Sequence, residues 1–172
     1  INLVTDSGPA LAMGVDPETD DVMARPPRRP AAPVIDARTW AWVIWIGMVM
    51  AAATLFSIDV CLPGGLVEGT ASLTVGRTVG FTTLVLAQLF NAVNSRSMTA
   101  SAFSGLFANR WLWAAAGLAI LLQVAITQVG WLQVAFQTAS LSPAQWLLSF
   151  ACASVVLWVE EVRKLVVRGR PR

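Results

Sequence analysis

Four apolar runs, each about as long as a bilayer core is thick, alternate with polar stretches along the chain. The first extends from about Trp40 to Leu62 and is closed by Pro63-Gly64-Gly65. The second spans about Val75 or Thr78 to Val93, the third Trp111 to Val129, and the fourth begins at Pro143 and ends near Trp158. At about 1.5 Å per residue, runs of this length cross a hydrocarbon core as helices. Ser142 before Pro143 reads as the cap and first position of the last helix. Residues 1–14 are apolar too, but too short to cross alone, and they read as the second half of a spanning helix. The pattern predicts an all-α, polytopic transmembrane helix bundle of four full spans plus a truncated amino-terminal half-helix. Its parts are the half-helix (1–14), a polar Pro/Arg-rich loop (15–39) and the four-span region with a basic tail (40–172).

Several details refine this layout. Four prolines and three arginines among residues 25–33 exclude a helix or central strand in the first loop. Trp40, Trp42 and Trp45, and Trp111 and Trp113, fall where interfacial tryptophans are expected. Asp59 belongs to the far interface or, alternatively, lines an exit path. Phe103, Leu106 and Phe107 offer a short surface helix between the second and third spans. The second run is unusually polar: Gln88, Asn91 and Ser95 recur at i, i+3 and i+7 and share one face. Polar side chains inside a membrane normally point into the bundle. Asn91 and Asn94 read as packing and hydrogen-bonding residues before ligands.

Composition agrees with a membrane protein. Of 172 residues, 56% are apolar and 13% charged, there is no histidine, and the mean hydropathy is +0.64. With alternating sides, loops 15–39 and 95–110 and tail 160–172 share a side and hold eleven of the twelve Arg and Lys residues; only Arg77 falls opposite. The positive-inside rule makes that side, with the carboxy terminus, cytoplasmic. The basic residues therefore point to a membrane surface and not to nucleic acid, and Glu160, Glu161, Arg163 and Lys164 are expected to leave the membrane. Cys61 and Cys152 have no paired spacing and read as free thiols packed as small hydrophobes.

The first nine residues carry the candidate chemistry. On a helix Asn2 and Asp6 share a face, with Thr5 beside Asp6. Together they offer oxygen ligands suited to a hard cation. Pro9 has no N–H and clashes with the carbonyl four residues back, that of Thr5, which frees this oxygen to face an ion. Broken helices in transporters place ion sites at such points. The plain alternative, an Asx/Gly/Pro turn in a loop, stays open on these residues alone. An ionised Asp6 in a membrane needs a partner, and residues 1–24 contain no Lys, Arg or His. Gln88 is either interhelical glue or a ligand. The acids at 16–21 lack the glycine and closing glutamate of an EF-hand. No phosphate-binding Gly-Lys-Ser/Thr loop and no Asp-Lys-Thr-Gly string occurs.

Asn2-Leu3-Val4-Thr5-Asp6, followed by Gly8-Pro9, Met13-Gly14 and Met23-Ala24-Arg25-Pro26-Pro27-Arg28, resembles the sixth membrane helix and following cytoplasmic loop of P-type calcium-pumping ATPases. Asn91-Ala92-Val93-Asn94-Ser95 resembles the end of their eighth helix, and the resemblance runs through the whole chain. It implies the carboxy-terminal membrane region of a pump, beginning inside its sixth helix. Asn2, Thr5, Asp6 and Gln88 are then ligands of transported Ca²⁺, Gly8 and Pro9 the helix kink, and Asn91 and Asp59 accessory residues. Mg²⁺ and ATP are handled by other domains of the parent pump. The implied partners are the bilayer and the remaining helices and cytoplasmic domains of that pump; the short loops and Ala/Arg/Trp-rich composition point to a bacterial plasma membrane. Reticulum-type pumps carry glutamate where Gln88 stands and the plasma-membrane type carries glutamine, so one calcium ion per cycle is expected. The other readings are a related pump for Mn²⁺ or Na⁺, or a non-catalytic membrane scaffold.

Overall fold

The structure is a computed structural model that describes residues 2–16, 35–96, 101–103 and 105–168, with residues 2–6 described in backbone only. The Arg25–Arg28 motif, most of the acid cluster and the last four residues lie outside the described residues. Six helices make up the described chain: α1 (Asn2–Met13), α2 (Ala37–Asp59), α3 (Leu73–Ser95), α4 (Arg110–Gln128), α5 (Gly130–Phe136) and α6 (Pro143–Arg168). Three of them, α2, α3 and α4, are long and apolar enough to cross a membrane.

Local chemistry sets the helix starts. The Asp36 carboxylate accepts the Thr39 N–H at 2.8 Å and the Thr39 hydroxyl at 2.6 Å. The hydroxyl, and then the N–H, hold that carboxyl below its usual pKa. Asn109 accepts the N–H groups of Trp111 and Leu112, each at 3.0 Å. Ser142 and Gln145 form the reciprocal capping box, with the Ser142 N–H donating to Gln145 at 2.8 Å and the Gln145 N–H to Ser142 at 3.3 Å. The Ser142-Pro143 start is therefore as expected. The first span begins at Ala37, ahead of Trp40, because Asp36 is its cap.

The third helix is central. It packs on α2 and α6 and also meets α1 and α4. One apolar cluster joins Ile46, Leu86, Ala87, Ala153 and Val156 across α2, α3 and α6; a second joins Cys61, Val79 and Leu141. Gly80 lets α2 approach, since a Cβ there would stand 2.5 Å from Ile58 Cδ1. Both cysteines are buried and unbridged. The outward faces are apolar: Ile44, Met48 and Leu55 on α2, and Leu118, Leu121 and Val124 on α4, are exposed.

Three features differ from the sequence reading. Residues 130–136 form α5, ended by Gln137 in the left-handed region (φ 53°). Residues 101–103 and 105–109 are turns, not a surface helix, because their polar groups are drawn to Glu161 and Arg96. Finally, α6 continues past Trp158 to Arg168, and Glu160, Glu161 and Lys164 are buried against neighbouring segments of the protein.

Candidate cation site

The first helix continues through Pro9, which is buried. Pro9 offers no N–H to the carbonyl of Thr5. One residue earlier, Gly8 allows a close crossing with α4: a Cβ at Gly8 would lie 3.2 Å from that of Ala115. The helix rests on α4 and on α3. The ligand expectations for Asn2, Thr5 and Asp6 fall on side chains outside the described residues; their backbone forms the amino-terminal half of α1.

On α3, Gln88 and Asn91 are half-buried, and the Asn91 side-chain oxygen is shielded from solvent with no partner among the described residues. Asn94 is buried and its amide donates to the Val156 carbonyl at 3.3 Å. It ties α3 to α6, as a packing residue would. Asp59 sits at the other end of the bundle from Asn94. Its carboxylate accepts the N–H groups of Leu66 (2.9 Å) and Val67 (3.3 Å), closing the turn after α2. Among the described residues no group of three or more His, Cys, Asp or Glu stands together to hold a metal.

Sequence reasoning did not anticipate the charged junction around the last turns of α6. The Trp42 indole N–H donates to Glu160 at 2.9 Å, and the Arg163 guanidinium donates to the same carboxylate at 2.7 Å while lying over the Trp42 ring. Glu161 accepts the Ala102 N–H at 2.7 Å and the Ser101 hydroxyl at 2.6 Å. Lys164 donates to the Asn94 carbonyl at 3.0 Å and approaches Glu161 at 3.4 Å. Burial pushes the Lys164 ammonium below its usual pKa against the pull of Glu161. For Glu161, burial raises the pKa, but the Ala102 N–H, the Ser101 hydroxyl and Lys164 outweigh it and leave the carboxyl lowered. The spacing Glu160-Glu161-Lys164 was the available signal, because i, i+3 and i, i+4 charges share a helix face.

An all-α bundle with apolar outer faces, three spanning-length helices and a polar inner helix defines a multi-pass membrane protein. The family model described as "Cation transporting ATPase, C-terminus" matches residues 1–166, so the chain belongs to that family, the carboxy-terminal region of calcium-pump-like P-type ATPases. It is 35% identical over 165 residues to calcium-transporting ATPase 1 of Schizosaccharomyces pombe, covering 95% of this chain and 18% of that protein. It is 33% identical over 156 residues to a calcium-transporting ATPase of Bacillus subtilis, with coverage of 90% and 17%. The human calcium-transporting ATPase type 2C member 1 is 31% identical over 173 residues, with coverage of 100% and 18%. The chain thus spans under a fifth of the length of these relatives.

Proposed function

We propose that this chain is the carboxy-terminal membrane part of an ATP-driven calcium pump, in which it supplies cation ligands and helical support. Asn2, Thr5 and Asp6 on α1 and Gln88 on α3 are assigned as the ligands of the transported ion, with the Thr5 carbonyl released by Pro9. The observation that carries this reading is the packing of the Pro9-containing α1 on α3, the helix that bears Gln88 and Asn91. Nothing basic among residues 1–24 neutralises Asp6, which leaves a cation as the simplest partner. Because Gln88 carries no charge, a single calcium ion is transported per cycle. ATP and Mg²⁺ act in the domains that the relatives possess beyond the matched length.

In the same reading α6, from Pro143 to about Trp158, is the fourth span. It lies beside α2 and α3 and exposes Leu147, Phe150, Val155 and Trp158. The basic loops and the carboxy terminus are cytoplasmic, the membrane is a bacterial plasma membrane, and Gly8 and Pro9 form part of the gate. The test is cation-dependent ATPase activity of the full-length pump. Asp6→Asn should abolish or strongly weaken the calcium response, and an unchanged response would reject the site. Isotope uptake of two calcium ions per phosphorylated enzyme would reject the single-ion stoichiometry.

A further inference from the structure

The carboxy-terminal ends of α1 and α3 are joined by a charge pair that the proposed site does not use. Arg96 Nε donates to Asp16 at 2.9 and 3.2 Å, and the two side chains are only 3% and 12% exposed. A second arm of Arg96 donates to the Gly105 carbonyl at 2.9 Å. Beside this pair, the buried Asn109 amide donates to the Ala12 carbonyl at 2.8 Å, in the last turn of α1. On the far side of α3, Lys164 holds the Asn94 carbonyl at 3.0 Å. The end of α3 is therefore pinned from two directions, and one of the pins is the end of α1.

Both helices run toward this junction, so positions can be counted back from it. Asp6 lies seven residues before Met13, the last residue of α1, and Gln88 seven before Ser95, the last of α3. At about 1.5 Å per residue each is about 10 Å from its helix end, which brings the two to nearly the same depth. A slip of one helix by one turn, about 5.4 Å, would separate them. A buried ion pair is weak as a source of stability, because desolvation offsets attraction; its best-attested use is to fix register.

We propose that the Asp16–Arg96 pair is a register clamp, two positioning residues that hold the ligand-bearing faces of α1 and α3 at one depth. This rests on the calcium-site reading above. The test is the calcium dependence of ATP hydrolysis by the full-length pump in proteoliposomes, with half-saturating calcium and maximal rate read separately. Arg96→Gln and Asp16→Asn should each raise half-saturating calcium about 2- to 30-fold, the range expected for residues coupled to a site they do not touch. The swapped double variant, Asp16→Arg with Arg96→Asp, should recover most of that loss. Three results would overturn the clamp: unchanged half-saturation in both single variants, a swap no better than the singles, or a loss of maximal rate alone. Loss of all hydrolysis in every variant would also count against it, since a positioning pair leaves a working pump. If Asp6→Asn abolishes the calcium response while the Arg96 and Asp16 variants titrate like wild type, the site stands and the clamp fails. A wild-type pump indifferent to calcium would instead sink the transport reading itself.

Discussion

The two ends of the bundle solve the same problem with different chemistry. At the basic end, helix termini are held by charged groups: Arg96 on Asp16, Lys164 on the Asn94 carbonyl, and Glu161 on the Ala102 N–H. The ion pairs Asp16–Arg96, Glu160–Arg163 and Glu161–Lys164 lie there. At the opposite end the Asp59 carboxylate closes the turn after α2, but the segments around α5 are held by neutral groups. Gln133 donates to the Thr127 carbonyl at 2.7 Å and to Ser140 at 2.8 Å, Gln128 to the Leu141 carbonyl at 3.3 Å, and the Ala139 N–H to Thr78 at 3.0 Å. Inside the bundle, Gln123 donates to Thr82 at 2.7 Å. Amides and hydroxyls satisfy helix ends at small net cost and small net gain. Charges do so with strong dependence on their partners, since each one left alone in the interior is expensive. The contrast assigns tight specification to the basic end and tolerance to the other.

Substitutions can break this contrast, and the largest effect is expected at Lys164. Lys164→Met leaves Glu161 buried without its cation and the Asn94 carbonyl without its donor. A loss of about 3–5 kcal/mol is expected, read as thermal inactivation of the detergent-solubilised protein. A loss under about 1 kcal/mol would remove the claim that this end is specified by charge. Next in size is Gly80→Ala, which forces a methyl into Ile58 and should cost about 1–3 kcal/mol at a site with no polar chemistry. It sets the scale of a purely steric fault.

Acid should separate the ends more gently. The folded carboxyl of Glu161 lies below its ordinary value of 4.5. Its contribution is therefore fully present above about pH 4.5 and is lost as pH falls through the lowered folded value. Midpoints of unfolding followed from pH 6 to pH 3 should fall more steeply in wild type than in Glu161→Gln; parallel curves would refute the assignment. The smallest effect belongs to the neutral network. Gln123→Leu removes one hydrogen bond and also an amide oxygen that has no partner among the described residues. A change within about 1 kcal/mol is expected. A larger loss would show that neutral groups are specified as tightly as the charged ones.

The helices themselves were legible in the sequence. Apolar runs of bilayer length, the Ser142-Pro143 start and the tryptophans at the span ends placed α2, α3, α4 and the first part of α6. The family resemblance rested on short strings whose residues combine ligand chemistry with a proline break. The far end of α6 was harder to read. Charges at Glu160, Glu161 and Lys164 look like a solvated exit unless the partners from α2, α3 and residues 101–102 are known. The Asp16–Arg96 pair was out of reach for a related reason: eighty residues separate its members, and neither carries a local motif. Helix α5 is a single short element between stronger signals, with too few residues for a period to show. Asp36 was readable in principle as an N-cap, but the tryptophan cluster behind it drew the boundary inward.

One practical consequence follows from the placement of Cys61 and Cys152. Each sits in the interior, 6% and 8% exposed, and neither is bridged. Maleimide reagents should pass both by while the protein stays folded. Probes can then be attached at cysteines newly introduced on outward-facing sites, such as Leu66 or Val134, without first clearing the native pair. Slow labelling of the wild-type chain would become a direct clock for how often the bundle opens.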